Sequence, residues 1–223
     1  MTQGALFKKK EPRIGETEEE LRARGIETII GVDEAGRGPL AGPVHAAAFW
    51  LDLNSPLPKT LAKLDDSKKL DEELREELFE QLRTENRPMA IGICDAKVID
   101  EINILQATFR AMAQAVQKVI DEQGAPPDLV VVDGNMIIPL QDWKQQAVVK
   151  GDGRSLAIAA ASILAKVSRD RVMRKAHEKW PDYGFDTNKG YGTGAHREAL
   201  REYGPCILHR RSFAGVLPQE ERT

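Results

Sequence analysis

The apolar positions of this chain switch repeatedly between β-branched runs and four-residue spacing, and the switches predict alternating strands and helices. Residues 27–33 form a β-branched run ending in a burst of Gly and Pro, a strand feeding a tight loop. Residues 44–53 read as a second strand, antiparallel to the first provided Gly38-Pro-Leu-Ala-Gly-Pro43 makes the turn. A third short strand is expected over 89–95. The continuously apolar run 129–133 suits a strand covered on both faces. Helices are expected over 17–24, over 71–83, where Leu74, Leu78 and Leu82 recur every four residues, and over 98–123, stopped by Gly124. Residues 155–179 are one long Ala-rich helical pattern ended by Trp180 and Pro181. The remainder is loop-rich, with a short helix over 195–203, and reads as largely separate from the sheet. The order predicts an α/β fold with a mixed sheet, followed by a helical C-terminal portion.

Composition refines this picture. With 41% hydrophobic and 30% charged residues, the 223-residue chain can bury a real core. No stretch approaches the roughly 20 apolar residues of a membrane span. The run Lys8, Lys9, Lys10 is followed by no apolar segment, so it does not read as a signal peptide. A cytoplasmic protein with no membrane partner is expected. Cys94 and Cys206 lack CxxC spacing, so neither a disulfide framework nor a zinc site is indicated. The net charge of -3 argues against an indiscriminate nucleic-acid coat protein. Between Lys166 and Arg211, however, eleven basic residues face six acids, a local surplus that can carry a polyanion.

Two strands end in an acid beside glycine: Asp33 and Glu34 before Ala35-Gly36, and Asp133 before Gly134. Neighbouring strand residues point to opposite faces, so Asp33 and Glu34 converge only where the strand is ending. Acids at the ends of adjacent strands meet in a crevice. Carboxylates gathered there repel one another unless a cation relieves them. With no His/Cys ligand set nearby, Mg²⁺ or Mn²⁺ is favoured over zinc. On the Ala-rich helix, Ser155, Ser162, Lys166 and Asp170 fall within an arc of roughly 80° at about 100° per residue, a polar stripe that needs a polar destination.

These residues sit inside motifs that resemble ribonuclease HII. Gly31-Val-Asp-Glu-Ala-Gly-Arg-Gly-Pro-Leu-Ala-Gly-Pro-Val44 is similar to that family's signature loop. The likeness continues through Asp66-Ser-Lys-Lys-Leu70, Val132-Asp-Gly-Asn135, Lys150-Gly-Asp152, Ala159 to Arg171, Lys189-Gly-Tyr-Gly-Thr193 and His209-Arg-Arg-Ser-Phe213. Seven motifs in order cover nearly the whole chain after the first ~25 residues. The resemblance implies a ribonuclease H-like mixed five-stranded sheet flanked by helices, with a helical C-terminal region. It divides the chain into an N-terminal extension (1–26), a catalytic domain (27–180) and a substrate-binding C-terminal region (181–223). It implies four metal-binding catalytic carboxylates, Asp33, Glu34, Asp133 and Asp170, holding two Mg²⁺ or Mn²⁺ ions with substrate bound. Gly36, Arg37, Gly38 and Tyr191 would contact substrate by the same resemblance, with Ser162, Lys166 and the basic C-terminal segment on phosphates. The implied partners are RNA/DNA hybrids and DNA containing ribonucleotides, and a monomer is expected. Two alternatives stay open: a structure-specific DNA nuclease of the same superfamily, and a catalytically silent hybrid binder.

Overall fold

The structure, a computed structural model, describes residues 13–57, 60, 61, 64 and 70–217. The motif Asp66 to Lys69 and the first twelve residues lie outside the described residues. The five strands are β1 (Thr28–Ala35), β2 (Val44–Asp52), β3 (Met89–Cys94), β4 (Leu129–Asp133) and β5 (Gln145–Val148), in the sheet order β3-β2-β1-β4-β5. β1 runs antiparallel to β2 and parallel to β4, and β5 adds parallel to β4, so the sheet is mixed as expected. β5 carries no strand periodicity of its own, because it is a four-residue edge strand with only Val148 buried.

Alternation along β1 decides what each face of the sheet meets. Ile29 and Val131 point into a core built with helices α1 (Glu16–Ala23), α2 (Glu72–Thr84) and α4 (Leu156–Lys179). Ile30, Val32, Val130 and Val132 point into the opposite core, covered by α3 (Ala96–Gln123). α3 is interrupted at Asn103, whose carboxamide accepts from the Leu105 and Gln106 amides and restarts the helix. Gly31 lies on the α4 side. A Cβ there would fall 2.2 Å from the Ala157 carbonyl carbon, so helix backbone packs directly on strand backbone. The Ala run of α4 serves the same close approach, with Ala157, Ala159, Ala160 and Ala161 fully buried.

α1 anchors the N-terminus of α4. Glu18 is buried and accepts from the Ser155 hydroxyl and the Ala157 amide, while Ser155 caps Ile158. Ser155 therefore belongs to this junction and not to the polar stripe that helical spacing assigned it to. At the other end of the chain, α5 (Phe185–Asn188) and α6 (Gly194–Tyr203) form a third cluster with Leu40, Ala41 and Met173. Among the described residues, the C-terminal segment adds no strand to the sheet, yet it is tied to the loop that leaves β1 through a bridge between Ala41 and His209. Among the described residues, no helix is long and apolar enough to cross a membrane.

Candidate active site

Because β1 and β4 are parallel and Val32 pairs with Val132, Asp33 and Asp133 lie side by side toward the C-terminal ends of two interior strands. Asp33 shares the face of Ile29 and Gly31, so it turns toward α4, where Ser162 hydrogen-bonds to it. β1 does not end at Asp33. It stays paired to β2 as far as Ala35, so strand alternation sends Glu34 to the opposite side. All three acids nevertheless line one cavity of about 470 Å³, together with Gly36, Arg37, Gly38, Ser162, Lys166 and Tyr191. Asp33 is only 6% exposed. Burial, and then the charges of Glu34 and Asp133, hold its carboxyl well above the usual carboxylate range.

Asp170 lies one turn beyond Lys166 on α4 and is not among the lining residues. It is buried, its Oδ2 accepts from the Lys166 ammonium, and its Oδ1 is buried without a hydrogen-bond partner. Asp133 Oδ1 accepts from the Gly151 amide at 2.6 Å. Among the described residues, no three His, Cys, Asp or Glu side chains are close enough to enclose an ion. The donor set still suits a hard divalent cation: all four acids offer oxygen, one oxygen lacks any donor, and burial followed by the charges of Glu34 and Asp133 disfavours the ionised Asp33.

The loop from Gly36 to Pro43 forms the other wall. Gly36 adopts φ +95°, and Arg37 reaches back to Glu34 at 3.3 Å. Gly38 has open space on its Cβ side up to Tyr191, whose ring carbon would lie 3.7 Å away. Tyr191 is 48% exposed, a ring available to the cavity. Its carbonyl accepts from Nδ1 of His196, whose Nε2 lies 3.0 Å from Nε2 of His209. The Cys206 amide donates to His209 Nδ1, so His209 carries its proton on Nε2 and donates to His196. The chain is complete only when both rings are neutral.

Arg75, Arg169 and Arg210, the last donating to the carbonyls of Gly36, Arg37 and Gly42, were not singled out by sequence reasoning. Arg75 lines the cavity from α2, with no signal to distinguish it from a solvated helix charge. Arg169 was readable: it follows Ser162 by two helical turns on a buried helix. Arg169 and Arg210 are 1% and 0% exposed and donate to main-chain carbonyls, so they are not part of the exposed basic face that the charge surplus had suggested. Burial, then the neighbouring Arg169, pushes the Arg210 guanidinium down to about 9, still charged at neutral pH. Arg171 and Arg174 are likewise engaged, by Glu72, Glu76 and Glu80 of α2.

A mixed β-sheet whose parallel central strands present carboxylates to one cavity, backed by an Ala-rich helix, is the arrangement of a ribonuclease H-type nuclease. The ribonuclease HII family profile matches residues 30–216, and the chain belongs to that family. It is 48% identical over 211 residues to ribonuclease HII of Geotalea daltonii, covering 95% of this chain and 94% of that one. Ribonuclease HII of Geobacter sulfurreducens is 47% identical, covering 92% and 91%. Among solved structures, ribonuclease H2 of Pyrococcus horikoshii superposes with a TM-score of 0.68 at 25% identity, covering 85% of this chain and 95% of that one. A ribonuclease HII of Archaeoglobus fulgidus, solved in complex with PCNA, gives 0.67 at 27% identity with the same coverage.

Proposed function

We propose that the cavity at the β1/β4 edge is the active site of an endoribonuclease acting on RNA/DNA hybrids and on ribonucleotides embedded in duplex DNA. The observation that carries this is buried Asp33 beside Glu34 and Asp133, facing a glycine-containing loop across one cavity. Asp33, Glu34, Asp133 and Asp170 would hold Mg²⁺ or Mn²⁺. Two such ions, when bound, supply an activated water and neutralise the leaving oxygen.

The remaining work falls to the chain itself. Ser162 hydrogen-bonds to Asp33 and favours its ionised form against the cost of burial. Lys166 orients Asp170 and leaves its positive charge at the cavity wall, where a phosphate would lie. Gly38, with no side chain, lets loop backbone approach a sugar, and a 2′-hydroxyl both donates and accepts hydrogen bonds. Tyr191 packs on the neighbouring deoxyribose and so favours an RNA-to-DNA junction. In this scheme the 2′-hydroxyl is recognised and does not attack.

The test is a DNA duplex carrying one ribonucleotide, incubated with Mg²⁺ or Mn²⁺ and compared with the all-DNA duplex. The expected cut is 5′ to the ribonucleotide, leaving 3′-hydroxyl and 5′-phosphate ends by mass spectrometry, with loss of activity in EDTA. A 2′,3′-cyclic phosphate, or undiminished cleavage in EDTA, would refute the metal-dependent mechanism. Preferential cutting of all-DNA branched substrates would favour a structure-specific nuclease instead.

A further inference from the structure

The loop from Gly36 to Pro43 is held from behind by two buried arginines whose side-chain hydrogen bonds end on main-chain carbonyls. Arg169 on α4 donates to Pro43, Ala41 and Lys189 at 3.0, 3.2 and 2.9 Å. Arg210 donates through Nε to Gly42 at 3.0 Å, through Nη1 to Arg37 at 2.9 Å and through Nη2 to Gly36 at 2.5 Å. Burying two guanidiniums together is costly, and a buried charge persists only where it is fully hydrogen-bonded. Both are charged donors with a rigid planar fork, so each carbonyl is fixed in direction as well as in position.

A trans peptide sets its N–H opposite its carbonyl. With the carbonyls of Gly36 and Arg37 turned inward to Arg210, the amides of Arg37 and Gly38 must face the other way. That side is the cavity, which Gly36, Arg37 and Gly38 line. Among the described residues, neither amide has a protein acceptor. We infer that Arg210 is a positioning residue for ribonucleotide recognition: it turns the Gly36 and Arg37 carbonyls inward and thereby aims the Arg37 and Gly38 amides at the sugar 2′-oxygen. The inference rests on the loop reading proposed above.

The experiment measures affinity for a duplex with one ribonucleotide and for the all-DNA duplex, in EDTA, for wild type and Arg210→Lys. Lysine keeps the charge but loses the fork, so it can no longer direct two adjacent carbonyls. The expected result is that the preference of wild type for the ribonucleotide duplex falls about tenfold in Arg210→Lys, while all-DNA affinity is unchanged. An unchanged preference, or an equal loss for both duplexes, would overturn the positioning role. No preference in wild type would refute the loop reading itself. Should Arg210→Lys fail to fold, amide resonances of the wild type decide: those of Arg37 and Gly38 should shift with the ribonucleotide duplex and not with all-DNA. Equal shifts with both duplexes, or none with either, would overturn the inference.

Discussion

Adding one methyl group at Gly36 or at Gly38 should have opposite consequences, although the two glycines flank a single arginine. A Cβ at Gly36 would lie 2.0 Å from Arg169 Nε and 2.9 Å from the Pro43 carbonyl, on a residue with φ +95°. Alanine in the left-handed region costs roughly 1–2 kcal/mol. Relieving the overlap adds about 1–3 kcal/mol, because Arg169 is fully buried and cannot swing aside without losing its carbonyls. The sum, about 2–5 kcal/mol, corresponds to a fall of roughly 5–20 °C in Tm for a chain of this size. Among the described residues, a Cβ at Gly38 meets only Tyr191, at an ordinary 3.7 Å, and φ there is not positive. Gly38→Ala should keep Tm within about 2 °C, as an unstrained surface substitution does. It should lose activity on ribonucleotide-containing DNA more than binding to plain duplex, since its methyl occupies the approach to the sugar. Differential scanning fluorimetry with single-ribonucleotide cleavage assays separates the two. Gly36→Ala melting with wild type, or Gly38→Ala melting as low as Gly36→Ala, would refute the assignment of one glycine to the clamp and the other to the cavity.

Asp33→Asn should abolish cleavage, retain most substrate affinity and raise Tm at pH 8, since a carboxyl held above its ordinary range by burial and two acids favours folding only while protonated. That gain should shrink as pH falls toward about 4, the ordinary carboxylate value; a lower Tm than wild type at pH 8 would remove the electrostatic argument. His209 has the opposite sign. Burial and His196 hold it down at about 4, so stability is full above roughly 6.5 and is lost as pH falls from there toward about 4. His45, buried against Ser168 and held at about 4, adds to the same slope. His209→Gln should flatten the acid limb of a Tm-against-pH profile; an unaltered slope would mean that the histidine pair does not couple to folding.

The strands that build the site were legible because they are buried on both faces and read as uninterrupted apolar runs, as at 29–32 and 129–132. The sequence pattern marks Asp33 and Asp133 as strand ends; β1 in fact runs on to Ala35, and it is the parallel register with β4, ending at Val32 and Val132, that makes them neighbours. Strand β5 was not legible from period, because an edge strand of four residues offers one buried position. Helical spacing correctly put Ser162 and Lys166 on the cavity side of α4, but placed Ser155 with them when its hydroxyl serves α1. Angular position says which face a residue occupies and nothing about how far along the axis the site extends. The Arg210 clamp was out of reach for a different reason. Its partners are carbonyls some 170 residues earlier, and main-chain oxygens leave no mark on composition.

The fate of the basic residues shows why a charge count over a segment misjudges a nucleic-acid surface. Arg169 and Arg210 are enclosed by the loop they hold. Arg171 and Arg174 lie against Glu72, Glu76 and Glu80, and such partly exposed pairs stabilise little but do cancel charge. Lys189 also sits within 3.8 Å of Glu72. The acidic stretch of α2 and the basic stretch of α4 are thus two halves of one helix–helix contact. Among the described residues, the basic side chains lining the cavity are Arg37, Arg75, Lys166 and Arg169, interleaved with the carboxylates, and Arg169 is committed to the loop carbonyls. On the proposed reading, so few uncommitted cations among the described lining residues make a modest electrostatic contribution at the cavity. Discrimination must then come from geometry, and the most rigidly held geometry on that wall is the backbone of a loop whose carbonyls are fixed by two buried guanidiniums.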